Sequence, residues 1–207
     1  MAKRYITADW HLGDDRFQIM CRPGFLNAQD MVDKFVAWHN EIVSPDDLVL
    51  MVGDACNLNS PEFLPQVVRF NGTKILFRGN HDRVFTDEQL EPYFAQIVPE
   101  GEGKLIDIGG EKFNVTHYPT QSRGDVFNLV GHIHGAWKVQ LNALNVGVDA
   151  NHFRPLDIDV DVPFLRKAVQ NFFDDDVWAA YSDSQAIWHG RRGKPGRYLD
   201  QDGLVGG

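Results

Sequence analysis

The amino-acid sequence predicts an α/β fold. Through the first half, short apolar runs of strand length alternate with segments of helical spacing. Beyond residue 100 the pattern changes to closely spaced strand-length runs separated by turn residues. Alternation of the first kind makes βαβ units whose sheet is buried by helices. A third observation bears on function: each early strand run stops at a side chain that can bind a metal or move a proton.

Residues 4–8 read as a strand ending at Asp9. Residues 27–42 carry Met31, Val32, Phe35, Val36, Trp38 and Ile42 at helical spacing, and Pro45, Asp46 and Asp47 mark the turn that follows. Residues 48–52 are continuously apolar, the mark of a strand buried on both faces, and they end at Gly53-Asp54. A helix is expected to start at Ser60-Pro61-Glu62 and to fade before Asn71-Gly72. Residues 74–77 form another strand, ending in Arg78-Gly79-Asn80-His81-Asp82. Residues 104–108 and 112–116 flank Gly109-Gly110 as a hairpin, and residues 127–130 and 141–148 extend this β-rich half. Helices are expected over 162–173 and 176–187, with an irregular tail from about residue 189. Without an internal repeat or a long linker, residues 1–207 are expected to form a single domain.

Composition narrows the function. A chain of 207 residues with 43% hydrophobic content, 14 Phe and 5 Trp has enough bulk for a core without covalent staples. Cys21 and Cys56 make neither a disulfide framework nor a CxxC pair, and no apolar stretch approaches the length of a membrane span. A reducing, cytoplasmic setting with no membrane partner is expected. The formal charge of −9 disfavours an extended duplex nucleic-acid surface, which needs many Lys and Arg contacts. It leaves room for a phosphate-bearing substrate, because bound divalent ions compensate acidic ligands locally.

The chemistry lies in five segments: Asp9-Trp10-His11, Gly53-Asp54, Gly79-Asn80-His81-Asp82, His117-Tyr118-Pro119 and Gly131-His132-Ile133-His134. Alone, a Gly-Asp pair is a turn and a His after a strand is a hydrogen-bonded structural residue. Together they recur after apolar runs, and in α/β sheets ligands bind beyond the carboxyl ends of strands. Carboxylate, imidazole and amide oxygen, with no thiolate set, suit manganese, iron or zinc. A carboxylate can bridge two cations, and such a pair about 3.5–4 Å apart can grip phosphoryl oxygens and activate water. Trp10, Phe25, Tyr118 and Trp137 lie near these segments and could stack a base or close the core. Cys56, two residues beyond Asp54, reads as a small buried residue.

In order and spacing, these motifs resemble the calcineurin-like metallophosphoesterase superfamily from Asp9 to His134, with every ligand position filled. Asn145-Val146-Gly147-Val148-Asp149 and Arg22-Pro23 resemble further segments of small bacterial and phage members. Trp10 stands where small or polar residues are common, and it reads as packing against the loop of His11. The resemblance implies a four-layer αββα sandwich of two mixed sheets flanked by helices. It implies one ion held by Asp9, His11, Asp54 and His134, and another by Asp54, Asn80, His117 and His132, with Asp54 bridging. His81 would act on the phosphoryl group and leaving alcohol, with Asp82 orienting it. The ions would be divalent or mixed-valence manganese, iron or zinc, manganese being the favoured activator in vitro. Outside the ligands, Arg22, Arg83 and Arg123 are candidate substrate contacts, with a surface salt bridge as the equal alternative for each.

The activity implied is hydrolysis of a phosphodiester, a small nucleotide-like molecule, by in-line attack of a metal-bridging hydroxide. Phosphomonoester or small protein-phosphatase activity is the alternative. A metal-containing binding module with little turnover is the reading from a different class. The oligomeric state is left open.

Overall fold

A computed structural model describes residues 2–16, 21–140 and 142–171, of which those up to Val169 belong to one compact unit. The expected helix over 176–187 and the tail from 189 lie outside the described residues.

The first sheet grows from apolar runs too short to be stable singly. Strands β1 (Arg4–Thr7), β2 (Leu48–Met51), β3 (Thr73–Phe77) and β4 (Gln96–Val98) pair in parallel, with Ile6 opposite Leu50 and Leu50 opposite Ile75. The second sheet holds β5 (Lys104–Ile108), β6 (Glu111–Thr116), β7 (Phe127–Val130), β8 (Val139–Gln140) and β9 (Ala143–Asn145). Its order is β5-β6-β7-β9-β8, with β6, β7 and β9 parallel and both edges antiparallel. Strand β10 (Leu156–Asp157) closes the free edge of the first sheet antiparallel to β1. Gly109 and Gly110 both have positive φ, as the tight hairpin between β5 and β6 requires.

Period-two alternation sets the layers. Ile6, Leu50, Val52 and Phe77 face Phe113, Val115, Leu129 and Leu144 in a core between the two sheets. Met51 and Leu76 point the other way, into a second core with α1 (Ala28–Asn40) and the 3₁₀ segment Pro61–Arg69. This is why residues 48–52 are apolar without interruption: the strand is covered on both faces. Helix α1 starts where Asn27 accepts the Asp30 N–H, and it buries Met31, Val32 and Phe35. A short helix α2 (Asp87–Leu90) has a Thr86–Gln89 capping box. Helix α3 (Asp161–Asn171) sends Val162 into the inter-sheet core and lays the Arg166 guanidinium over the rings of Phe113 and Phe127. Two mixed sheets with helices against them make the layered α/β architecture expected. Among the described residues no helix is long and apolar enough to cross a membrane.

Some elements differ from expectation. Residues 61–69 are 3₁₀ rather than α-helical, and Pro65 within them has no N–H for an α-helical bond. The strand expected over 141–148 shortens to β9 and gives way to a 3₁₀ turn at Val148–Ala150. Strands β4 and β10 are too short to show a period, and their pairing is decided by neighbours.

Trp10 is packed as the sequence suggests, 2% exposed and stacked on Phe70 at 4.0 Å. His39 meets the edge of Trp10, its Nε2 bonded to the Asn71 carbonyl at 3.0 Å and its Nδ1 without a hydrogen-bond partner. Burial pushes its pKa down to about 4 from 6.5. A pKa depressed by folding stabilises the protein above the unfolded value and is lost as pH falls. Denaturant unfolding should therefore show up to about 3 kcal/mol of stability disappearing between pH 6.5 and about 4. His39→Gln should flatten that part of the profile.

Candidate metal centre

The centre is assembled where β1, β2, β3, β6 and β7 run out. The loop after β1 lies along the loop after β2: Asp9 N donates to Gly53 O (3.0 Å), His11 N to Asp54 O (2.9 Å) and Leu12 N to Ala55 O (3.1 Å). The loop after β3 joins through His81 N, which donates to Asp54 Oδ1 at 2.8 Å. The β7 loop joins from the second sheet, where His132 N donates to both oxygens of Asp9 at 3.0 Å. His117, at the end of β6, donates from Nδ1 to the Val52 carbonyl at 2.8 Å. A carbonyl only accepts, so Nδ1 carries a proton, and Nε2 faces Asn80 Oδ1 (3.3 Å) and Asp54 Oδ2 (3.4 Å).

Backbone conformation marks the same residues. Asp9, His11, Asp54, His132 and His134 all have φ between 50° and 75°. Among the described residues only His152 and Phe153 share this non-glycine positive φ. Each such residue costs on the order of 1–3 kcal/mol, and the cost concentrates at sites where geometry outweighs stability. Glycine provides the clearance. A Cβ on Gly79 would collide with Asp54 Oδ1 and come within 2.8 Å of His117 Nε2.

Among the described residues, donor atoms fall into three close groups, each with mutual separations within 4.8 Å: Asp9, His11 and His134; Asp54, His117 and His132; and His11, Asp54 and His81. Asp54 belongs to two of them. Its carboxylate also stands 3.5 Å from His11 Nε2. Burial pushes Asp9 up to about 6 and His11 well below the ordinary imidazole range. Burial would raise Asp54 too, but the hydrogen bond and charge of His117 hold it well below the usual carboxylate range. Burial likewise opposes the charged form of His117, yet Asp54 lifts it to about 9. Oxygen and nitrogen donors, buried carboxylates and no thiolate fit a divalent cation. Cys56 is buried, with its thiol pushed up to about 12 by burial, which keeps it protonated.

The structure thus brings Asp9, His11, Asp54, Asn80, His81, His117, His132 and His134 together. It places the other sequence-derived candidates differently. The Asp82 carboxylate is directed at backbone rather than at the His81 ring: it accepts from Gly79 N and Asp54 N at 2.8 Å and from Ala55 N at 3.2 Å. Both oxygens are engaged in tying the β2 and β3 loops together, so Asp82 braces the site. Burial raises it to about 7 against the pull of those N–H groups. Arg22 is 1% exposed and bonds to Asp149 and to the carbonyls of Asp9 and Trp10, beneath the first loop rather than facing a substrate. Arg83 is exposed but paired with Glu100, which also receives the Tyr118 hydroxyl. Arg123 pairs with Asp125 on the surface. Of the four aromatics, Phe25 and Trp10 are core, while the Tyr118 ring meets the rings of His117 and His132 at 4.8 and 4.9 Å.

Sequence reasoning missed the partners of the donors. Asp149 accepts from His134 Nδ1 at 2.8 Å, and Asn145 Nδ2 donates to the His134 carbonyl at 2.6 Å. Both lie in the Asn145–Asp149 motif, whose order was visible and whose contacts were not.

Such a fold and donor set define an α/β protein with a clustered His and Asp site suited to metal ions. The chain matches the Calcineurin-like phosphoesterase family over residues 2–194 and belongs to that family. Its fold is similar to the crystal structure of the protein of unknown function AQ665 from Aquifex aeolicus, with a TM-score of 0.58 and 22% identity over 75% of this chain and 95% of that one. A search of curated proteins returned no match.

Two substitutions test the construction. Asp82→Asn replaces one acceptor oxygen by a donor facing backbone N–H groups. It should cost about 1–3 kcal/mol in denaturant unfolding of the metal-free protein. Gly79→Ala should leave a folded protein, read by circular dichroism, that retains fewer manganese ions after dialysis than the wild type.

Proposed function

We propose that this chain hydrolyses phosphodiesters, with a small nucleotide-like molecule as substrate. The carrying observation is the two donor groups Asp9–His11–His134 and Asp54–His117–His132, joined by a third in which His11 and Asp54 meet His81. The His81 ring stands edge-on to His11 at 4.4 Å. Leu58 N–H approaches its Nδ1 at 3.5 Å, which leaves Nε2 to carry a proton. Residues of this centre would hold two divalent ions: Asp9, His11 and His134 around one, Asn80, His117 and His132 around the other, and Asp54 between them. Bound there, the ions supply positive charge to the phosphoryl oxygens and the acidification of water that hydrolysis at neutral pH needs.

The chain's own residues supply the rest. His81 stabilises the phosphoryl oxygens and donates the Nε2 proton to the departing alkoxide. His117 is locked by Val52 with Nε2 directed inward, and Asp82 holds the Asp54 and Gly79 backbones in place. Tyr118 borders the His117–His132 side and offers a face for a base.

Charge favours the diester. Each arginine proposed from sequence is paired with a carboxylate: Arg22 with Asp149, Arg83 with Glu100 and Arg123 with Asp125. A phosphodiester carries one negative charge and a monoester up to two, so the diester makes the smaller demand on cationic side chains.

Chelated protein should be inactive and regain turnover of bis(p-nitrophenyl) phosphate on adding manganese, with p-nitrophenyl phosphate the poorer substrate. Turnover of the monoester alone would reverse the substrate class. His81→Ala should lower kcat about 10²- to 10⁴-fold with manganese content unchanged. Unchanged kcat would remove His81 from the reaction.

A further inference from the structure

Two of the motifs, Arg22-Pro23 and Asn145–Asp149, have no place in the reaction above, yet they meet at one side of the centre. The Arg22 guanidinium grips Asp149 with two parallel bonds, Nε to Oδ1 at 2.7 Å and Nη2 to Oδ2 at 2.8 Å. It also donates to the carbonyls of Asp9 (2.7 Å) and Trp10 (2.9 Å). Asp149 Oδ2 accepts the His134 Nδ1 proton at 2.8 Å. Asn145 holds the backbone of that loop, Nδ2 donating to His134 O at 2.6 Å and Trp137 O at 2.8 Å. Asn151 in turn fixes the Asn145 and Gly147 carbonyls at 2.9 and 2.8 Å. Gly147 lies so close that a Cβ there would stand 2.7 Å from Asp9 Oδ2. These bonds converge on the Asp9 and Trp10 backbone and on His134, with further anchors from Arg22 to Met31 Sδ and from Asn145 to Trp137 O. In the second donor group Val52 orients the His117 ring and Asp82 holds the Asp54 backbone; His132 shares the His134 loop and bonds Asp9 through its backbone N–H, while its ring takes no bond from the brace.

We infer that Arg22, Asn145 and Asp149 form a brace dedicated to the site of Asp9, His11 and His134, and that Asp149 is a positioning residue that sets metal affinity at this site alone. The inference rests on the two-metal reading of the centre. A carboxylate on the far nitrogen of a ligating imidazole fixes its tautomer and ring orientation and raises its basicity, effects worth about 10- to 100-fold in metal affinity. Arg22 adds registry: one guanidinium measures His134, through Asp149, against the backbone of Asp9. The brace therefore sets the distance between ligands drawn from different sheets.

The test is a zinc(II) titration of metal-free full-length protein, followed by the imidazole ¹⁵N resonances. It is run on wild type, on Asp149→Asn, which keeps shape and one acceptor oxygen, and on Asp149→Ala. The His11 and His134 midpoints should move to about 10- to 100-fold higher zinc in the variants, while those of His117 and His132 stay in place. His134 in the metal-free wild type should show the Nδ1–H tautomer. Equal displacement of both pairs, displacement of the His117 pair alone, or displacement of neither overturns the inference. If wild-type imidazoles do not respond to zinc at all, the metal-centre reading fails and takes the inference with it. Asp149→Asn keeps the test decisive should the alanine variant not fold.

Discussion

Asp9, His11, Asp54, His132 and His134 are all held in left-handed backbone conformation, and much of the structure serves to hold them there. None is glycine, so each position is unfavourable in an unconstrained chain. Two neighbouring parallel strands supply the restraint by passing their backbone hydrogen bonds on into the loops, from Asp9 N to Gly53 O and from His11 N to Asp54 O. Three backbone N–H groups converge on Asp82 and close the β2 and β3 loops around the site. Sharp turns after each strand let the side chains point back over the sheet edges.

Burial adds a second constraint. Asp9 and Asp54 are nearly inaccessible to water, as are His11 and His117. A buried carboxylate needs a counter-charge or a proton. In the structure as described, Asp54 takes part of that compensation from His117, and Asp9 is pushed toward protonation by burial. A bound cation would compensate both. The same water exclusion that makes isolated acids costly would strengthen charge stabilisation in the proposed phosphoester hydrolysis.

The two sheets make different contributions. Loops after β1, β2 and β3 of the first sheet carry Asp9, His11, Asp54, Asn80 and His81, while those after β6 and β7 of the second carry His117, His132 and His134. The apolar inter-sheet core of Ile6, Leu50, Phe113, Leu129 and their neighbours fixes the spacing between the two sets. Because that core is close-packed, the gap between donors cannot relax without disturbing it. Asp149, joined to Arg22 on one side and His134 on the other, ties the sets together a second time.

Hydrophobic period and turn residues act locally, and they were sufficient for β1, β2, β3, α1 and the hairpin at Gly109-Gly110, while motif order picked out the donors that gather at the centre. They were insufficient where a residue's role depends on what faces it. Arg22, Arg83 and Arg123 look alike as phosphate contacts until Asp149, Glu100 and Asp125 are seen beside them. Asp82 adjoins His81 in sequence, yet its carboxylate turns to the backbone of Gly79, Asp54 and Ala55. Strands β4 and β10 exist only because an edge was open to them. Sequence by itself determined which ligand chemistry this protein carries, since that is a property of side chains. Tertiary structure alone decided which charges are free to meet a substrate and which are bound within the fold, because ion pairing and burial depend on distances between residues far apart in the chain.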